Sequence, residues 1–189
     1  QARAEYDKAI RFAHNEADRL TYSMQKAMTY VREGNFAEAD KQFTDIAQNA
    51  HAKAQELQEA QAYRHKAEYQ SDDTAALREL KLAEDALHHQ ASIAHSDRDE
   101  ETSRIWRVRV MRAAHVGNQA VAEQTLKDLE KLANSSRNRV IQASYQGAAG
   151  TSLMQQKKYL EAIAHLEEDQ ENPFTMELLV QAYYQTSQP

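Results

Sequence analysis

Histidine and carboxylate side chains are the first candidates for chemistry in this sequence, which holds 8 His and 29 Asp or Glu residues. Asp85-x-x-His88 comes near the Glu-x-x-His spacing of di-iron helix bundles, but its acid is aspartate and no second copy follows. His88 and His95 are seven residues apart and would share a helix face with His89 nearby, yet Ser92 between them is a poor metal ligand. We therefore interpret these histidines as surface residues and predict no metal site.

Motifs that would indicate an enzyme are missing. The sequence has no His-Glu-x-x-His zinc motif, no phosphate loop, no dinucleotide glycine fingerprint and no Gly-x-Ser-x-Gly elbow. It has no cysteine, which excludes disulfides, thiolate metal sites and cysteine nucleophiles. With only 4 Gly residues, the chain offers few of the loops on which catalytic groups usually lie. We predict a protein that is not an enzyme and that uses no cofactor.

Arginine is concentrated in the stretch "SRIWRVRVMR" at 103–112. On a helix, Arg104, Arg107 and Met111 fall along one side, whereas Trp106 falls along another. Arginine can hold a carboxylate through two parallel hydrogen bonds, which would suit a partner's acidic group. The alternative interpretation is a solvated face on which these arginines pair with acids of their own or a neighbouring helix.

The elements that must position these residues are predicted to be helices. Gly and Pro together number 6, and good helix formers dominate over β-branched residues, so the composition predicts an all-α fold. The formal net charge of -6 argues against a general nucleic-acid binder. No apolar run approaches the ~20 residues that span a bilayer. Because the chain begins at Gln1 rather than Met, we expect a mature form or a fragment, and its localisation stays open.

Helix boundaries follow from a few turn signals. Gly34-Asn35 and Gly117-Asn118 are typical helix ends, and Asn172-Pro173 is typical of a helix start. Before and after the first turn, apolar residues step by threes and fours. Either residues 2 to 33 and 36 to 70 form two long helices in a coiled-coil-like hairpin, or each contains a break, near 18 to 20 and near 48 to 51.

One short phrase recurs along the chain. "YDKA" at 6–9, "FAEA" at 36–39 and "YLEA" at 159–162 each place an aromatic three residues before an alanine. In the later two, a helix and a turn come before the phrase, and large apolar residues follow at helical spacing. This pattern resembles the tetratricopeptide repeat, in which paired helices need small residues where their backbones approach closely. Trp106 stands where that family favours tryptophan.

The resemblance implies an α-α superhelix of degenerate repeats, with the N-terminal helices extended if the long-helix alternative holds. Successive second-helix alanines at 39, 76, 122 and 162 are 37, 46 and 40 residues apart, longer than the family's 34. We expect a single domain over 1–189. Its clearest repeats are 20–53, 103–136 and 143–172, followed by a capping helix at 174–187.

The resemblance also implies a function, which is to bind a peptide or protein in a concave groove without catalysis. The residues predicted to face that groove are Arg104, Arg107, Met111, Ser144, Thr151, Gln155, Gln181 and Tyr184. The alternative function is self-assembly into a homodimer through the apolar seam of the N-terminal helices. The partner's identity does not follow from the sequence.

Overall fold

The computed structural model describes residues 2–88 and 93–186, which form ten α-helices and one short 3-10 helix at Glu167–Asp169. The helices are α1 Ala2–Phe12, α2 Glu16–Arg32, α3 Phe36–Ala52, α4 Glu56–Tyr69, α5 Asp73–His88, α6 His95–His115, α7 Gln119–Ser135, α8 Arg139–Gln155, α9 Tyr159–Leu166 and α10 Pro173–Thr186. Within those two ranges there is no β-strand. The prediction of an all-α fold is confirmed.

The chain divides into two compact units. Unit 1 comprises Gln1–Glu101 and unit 2 comprises Thr102–Pro189. Helix α6 begins in unit 1 and continues in unit 2. Each unit is described below by itself, and the single domain expected over the whole chain stays a prediction.

The N-terminal region contains four helices, which is the second of the two alternatives that the sequence leaves open. Its breaks lie at 13–15 and 53–55, a few residues from the expected positions. At the first break, Asn15 caps α2 by accepting a hydrogen bond from the backbone N–H of Asp18 at 2.8 Å. At the second, Ala54 takes a left-handed conformation with φ of 51°. Neither break needs a glycine or a proline.

The same kind of turn ends α2, α3, α6 and α8. In each, one residue takes a positive φ, and the next backbone N–H returns to a carbonyl of the last helical turn at 2.8 to 3.0 Å. This is the bond pattern of a Schellman cap, which satisfies carbonyls that the helix leaves unpaired. The left-handed residues are Gly34, Ala54, Gly117 and Lys157.

Helices pack mainly on their neighbours in sequence. In unit 1, α1 packs on α2, α2 on α3, α3 on α4 and α4 on α5, and α2 also reaches α4. In unit 2, α7 packs on α8, α8 on α9 and α9 on α10, and α8 also reaches α10. Such a succession of neighbour and next-but-one contacts is a helical repeat-like architecture.

Small residues allow the close approach of paired helices. The second-helix alanines at 39, 76, 122 and 162 are all buried. At Gly150 on α8, an added Cβ would lie 2.6 Å from Cγ of Leu166 and 3.4 Å from the carbonyl oxygen of Ala162 on α9. A side chain at that position would therefore push α9 away from α8. No helix in the described ranges is long and apolar enough to cross a membrane.

Each unit has an apolar core of modest side chains, in which alanine is prominent. One buried cluster of unit 1 comprises Leu20, Met24, Ala27, Ala39, Phe43, Ile46, Ala47, Ala50 and Ala62. In unit 2, one cluster comprises Val110, Leu129 and Ala148, and another comprises Ala162, Leu166, Leu179 and Ala182. Trp106 packs against the first of these two.

Candidate functional site

Arg107, one of the two arginines of the predicted groove, lies half-buried in a polar cluster of unit 2. Its guanidinium forms an ion pair with the carboxylate of Asp169 and donates a hydrogen bond to the hydroxyl of Thr175. The Thr175 hydroxyl donates in turn to Oδ2 of Asp169 at 2.7 Å. We call these three residues the Arg107 cluster. A partner's carboxylate could bind Arg107 only by displacing Asp169.

The Arg107 cluster needs the space that Gly147 leaves open, and it holds the Asp169 carboxylate where burial disfavours its charge. At Gly147 on α8, an added Cβ would lie 2.9 Å from Nε and Nη2 of Arg107 and closer still to the Asp169 carboxylate. Burial raises the pKa of Asp169, and the opposing effects of Arg107 and Thr175 only partly offset it. The cluster is therefore a structural contact between helices with no spare charge.

Two other predicted groove residues lie in the interior, which corrects the sequence interpretation. Ser144 is only 3% exposed and accepts a hydrogen bond from Ser103 at 3.3 Å. Thr151 is also buried, and its hydroxyl donates to the carbonyl oxygen of Gly147 at 2.8 Å. Both side chains face helices of unit 2 because α8 is covered on more than one side. Neither is available to a partner.

The remaining predicted residues are partly or fully accessible. Arg104 and Met111 on α6 are half-buried. Gln155 and Gln181 are exposed, and Gln181 donates a weak hydrogen bond to Glu177 at 3.4 Å. Tyr184 is 66% exposed. The residues predicted from the sequence are thus spread over buried and open positions of unit 2.

Helix α10 of unit 2 carries a row of exposed apolar side chains. Met176, Val180 and Tyr184 follow one another at helical spacing, with Tyr183 beside them. The Tyr183 hydroxyl donates a hydrogen bond to Glu167. Of this row, the sequence predicts only Tyr184 as a binding residue.

Unit 1 contains a pocket that the sequence does not predict. It has a volume of about 530 Å³ and lies between the first two turns of α3 and the end of α4. Its lining residues are Phe36, Ala37, Ala39, Asp40, Phe43, Lys66, Tyr69, Gln70 and Ser71. We call it the α3–α4 pocket.

The two charged groups of the α3–α4 pocket differ in how fully they are paired. The Lys66 ammonium lies 3.0 Å from a carboxylate oxygen of Glu79 and donates to the Thr44 hydroxyl at 3.1 Å. The Asp40 carboxylate is farther from it, at 3.7 Å, and its side chain is 47% exposed. Lys66 is therefore paired mainly with Glu79, whereas Asp40 stays open to solvent.

Aromatic rings form much of the remaining wall. Phe43 is buried and stacks on His65 with ring centroids 5.6 Å apart, whereas Phe36 is 52% exposed. Burial raises the pKa of Tyr69 to about 12, with Glu68 acting in the same direction. The Tyr69 phenol is thus protonated at neutral pH and can donate a hydrogen bond.

The sequence contains only part of the signal for this pocket. Lys66 and Tyr69 are three residues apart, so they share a face of α4. The pattern of Phe36, Ala39 and Phe43 reads as a continuous core seam, and nothing in it distinguishes the exposed Phe36 from the buried Phe43. The pocket forms where α3 packs on α4, and local spacing does not encode how two helices pack.

The histidines give no sign of a metal centre. His88 and His95 are exposed, and His89 lies outside the described residues. No group of three potential metal ligands comes together in the part of the chain that the structure describes.

Fold and surfaces together define an all-α protein of helical repeat-like architecture. Compared with known proteins, the chain matches no family model, no curated protein and no solved structure. Its function must therefore be inferred from its own residues and geometry.

Proposed function

We propose that this chain is a tetratricopeptide-like interaction module that binds a peptide or protein partner and catalyses no reaction. The observation that carries the proposal is the α3–α4 pocket, which two consecutive helices line with aromatic, polar and charged side chains. Pockets that combine an apolar wall with a few polar groups are typical ligand sites. Helical walls also hold those groups in place before a partner arrives.

The repeated turn and the buried alanines support the tetratricopeptide-like part of the proposal. A helix, a left-handed residue and a second helix recur in both units. The alanines that the resemblance assigns to close helix contacts are buried at 39, 76, 122 and 162. Trp106, which stands where that family favours tryptophan, packs against the buried cluster of Val110, Leu129 and Ala148.

The chemistry of the pocket favours recognition over catalysis. Lys66 is held by Glu79 and Thr44, and so is a poor nucleophile. The raised pKa of Tyr69, about 12, makes its phenol a poor proton donor or acceptor near neutral pH. These groups are suited to hydrogen bonding and to packing against a bound chain.

A peptide-display selection on the immobilised chain tests the proposal. We expect enriched peptides to bind the unaltered chain and to lose about three- to tenfold in affinity with Phe36→Ala, since the ring is a large accessible part of the pocket wall. Leu82→Ala is the matched control, because Leu82 is a large exposed apolar residue of unit 1 outside the pocket. Failure to enrich any peptide, or equal losses in both variants, would contradict the proposal.

Self-assembly is the second candidate and has less support. Leu20, Met24 and Ala27 belong to the seam that would pair with another copy, but they are buried in the core of unit 1. Phe12 at the end of α1 is 78% exposed, and this exposed ring is the observation that supports self-assembly. A concentration-dependent dimer by light scattering that Phe12→Ser abolishes would support it, whereas a monomer at all concentrations would reject it.

A further inference from the structure

We propose that the α3–α4 pocket binds a basic side chain, arginine or lysine, of a peptide partner. This inference rests on the proposed function and names the chemistry of the partner. It follows from three independent observations: the charges within the pocket, the aromatic wall and the charge of unit 1 as a whole.

Lys66 and Asp40 are the charged residues among those that line the pocket. Lys66 is paired with Glu79 at 3.0 Å, so the charge left for a ligand at the pocket wall is that of Asp40. Arg32 acts on Tyr69 from outside the lining. Asp40 lies 3.7 Å from Lys66 and is about half exposed, so its oxygens can accept hydrogen bonds from an incoming group. A guanidinium or ammonium group would pair with Asp40. A carboxylate would be repelled by Asp40, and Lys66 is already paired with Glu79.

The wall of the pocket suits the rest of a basic side chain. The exposed ring of Phe36 and the ring of Tyr69 offer apolar faces to a methylene stem. A guanidinium also stacks favourably on aromatic faces. The volume of about 530 Å³ leaves room for neighbouring backbone, which the amide of Gln70 and the hydroxyl of Ser71 can bind.

The charge of unit 1 favours the same partner. Residues 1–101 contain 13 Lys or Arg against 20 Asp or Glu, a formal net charge of −7. Residues 102–189 contain 10 against 9, a net charge of +1. The acidity of the chain is thus confined to the unit that contains the pocket. A field of this sign increases the encounter rate with basic peptides.

Small arginine derivatives test the inference directly. N-acetylarginine methylamide is titrated into the ¹⁵N-labelled chain, and the backbone amide shifts of Phe36, Tyr69 and Ser71 are followed by NMR. The comparison compounds are the citrulline derivative, which has nearly the same shape without the charge, and the glutamate derivative. We expect saturable shifts with arginine and about three- to fivefold weaker binding of citrulline, the upper part of the range of an exposed charge pair.

Two isosteric variants separate the pocket from the overall charge. Asp40→Asn should reduce arginine binding to the level of citrulline, whereas Asp45→Asn on the same helix should leave it within about twofold, since Asp45 lies outside the pocket. Tighter binding of the glutamate derivative, absence of saturable shifts with arginine, or equal losses in the two variants would overturn the inference.

The two proposals can fail separately. If display selection enriches peptides that need Phe36 but the arginine probe fails, the module binds peptides of another chemistry. If selection enriches none and the arginine probe fails as well, the proposed function is also contradicted.

Discussion

In each unit an arginine pairs with carboxylates that are buried or nearly so, and the pKa of an acid in the pair moves in opposite directions in the two units. In unit 1, Arg64 donates to Glu101 at 2.5 Å through Nε and to Glu68 at 2.7 Å through Nη1. In unit 2, Arg107 pairs with Asp169. The pKa of Glu68 is lowered to about 2, whereas that of Asp169 is raised. The same chemistry thus gives two electrostatic results.

The difference lies in how many donors oppose the cost of burial. Burial alone would raise the pKa of Glu68, but Arg64 together with His65 at 2.9 Å outweighs it. Asp169 has one arginine and the neutral hydroxyl of Thr175, so burial prevails, and the nearby Glu171 carboxylate raises the pKa further. An ion pair stabilises a buried acid only when its partners replace the lost water in full. We infer that the Arg64 group stabilises unit 1, while the charge on Asp169 costs unit 2 free energy.

Replacing Arg64 with leucine should break the comparison most strongly. It would leave Glu101, which is 1% exposed, without its arginine in the interior. We expect the free energy of unfolding to fall by about 3–5 kcal/mol, measured by urea denaturation. Arg78→Leu, at an exposed position of the same unit, should change it by less than about 0.5 kcal/mol. If the loss for Arg64→Leu were as small as that for Arg78→Leu, the buried pairs of Arg64 would contribute little to stability.

Replacing Gly147 with alanine should disrupt the Arg107 cluster by steric overlap. We expect a loss of about 2–3 kcal/mol, since Asp169 and Arg107 must both move. Gly34→Ala is the control, because nothing lies within 4 Å of its added Cβ and the cost there comes from its φ of 74°, about 1 kcal/mol. If Gly147→Ala retains the stability of the unaltered chain, the cluster is looser than its geometry indicates.

Neutralising each acid should show the difference directly, as a larger loss of stability in unit 1 than in unit 2. At pH 7, Glu68→Gln should lower the free energy of unfolding by about 1–3 kcal/mol, because a favourable buried charge is removed. Asp169→Asn should cost less than about 1 kcal/mol, since the amide keeps an acceptor for Thr175 and the charge itself is unfavourable. Chemical denaturation of both variants gives the comparison. Equal losses would mean that the two acids are equivalent.

The pH dependence of stability should differ in the same way. Because the pKa of Glu68 is lower in the folded chain than its usual 4.5, its contribution is present above pH 4.5 and is lost as pH falls toward about 2. Asp169 acts in reverse: its contribution is present below its usual pKa of 3.8 and is lost as pH rises through the raised value.

Unfolding measured between pH 7 and pH 2 should therefore show a shallower acid loss for Glu68→Gln than for the unaltered chain. Asp169→Asn should make the loss steeper, because it removes the acid whose protonation favours the fold. Parallel curves for all three chains would contradict the assignment of these pKa directions.

Glycine at the two strained turns should give the smallest effect, and a stabilising one. Ala54 in unit 1 and Lys157 in unit 2 have positive φ angles of 51° and 60°. Ala54→Gly and Lys157→Gly should each raise the free energy of unfolding by about 0.5–1 kcal/mol, since strain relief exceeds the entropic cost of glycine. Thermal unfolding would detect the increase, and a lower midpoint in either variant would count against a strained turn.

The fold is more predictable from this sequence than the candidate site is. Periodicity and composition predict helices, and the turns at Gly34 and Gly117 follow from a local dipeptide. The break at Ala54 could be predicted only to within a few residues and only as one of two alternatives, because alanine carries no turn signal. The contact of Arg107 with Thr175 joins residues 68 positions apart, which local spacing cannot indicate. For the same reason, Ser144 and Thr151 could not be recognised as interior residues.

The Gly-Asn turns have a consequence for how such a chain could grow. Asn35 uses its backbone N–H to close α2 and its side-chain oxygen to open α3, and Asn118 does the same between α6 and α7. Each Gly-Asn dipeptide thus supplies both the C-terminal cap of one helix and the N-terminal cap of the next. A duplicated stretch of DNA that encodes one such dipeptide with its flanking helices would transmit a complete hairpin, while the distance to the next hairpin stays free to drift.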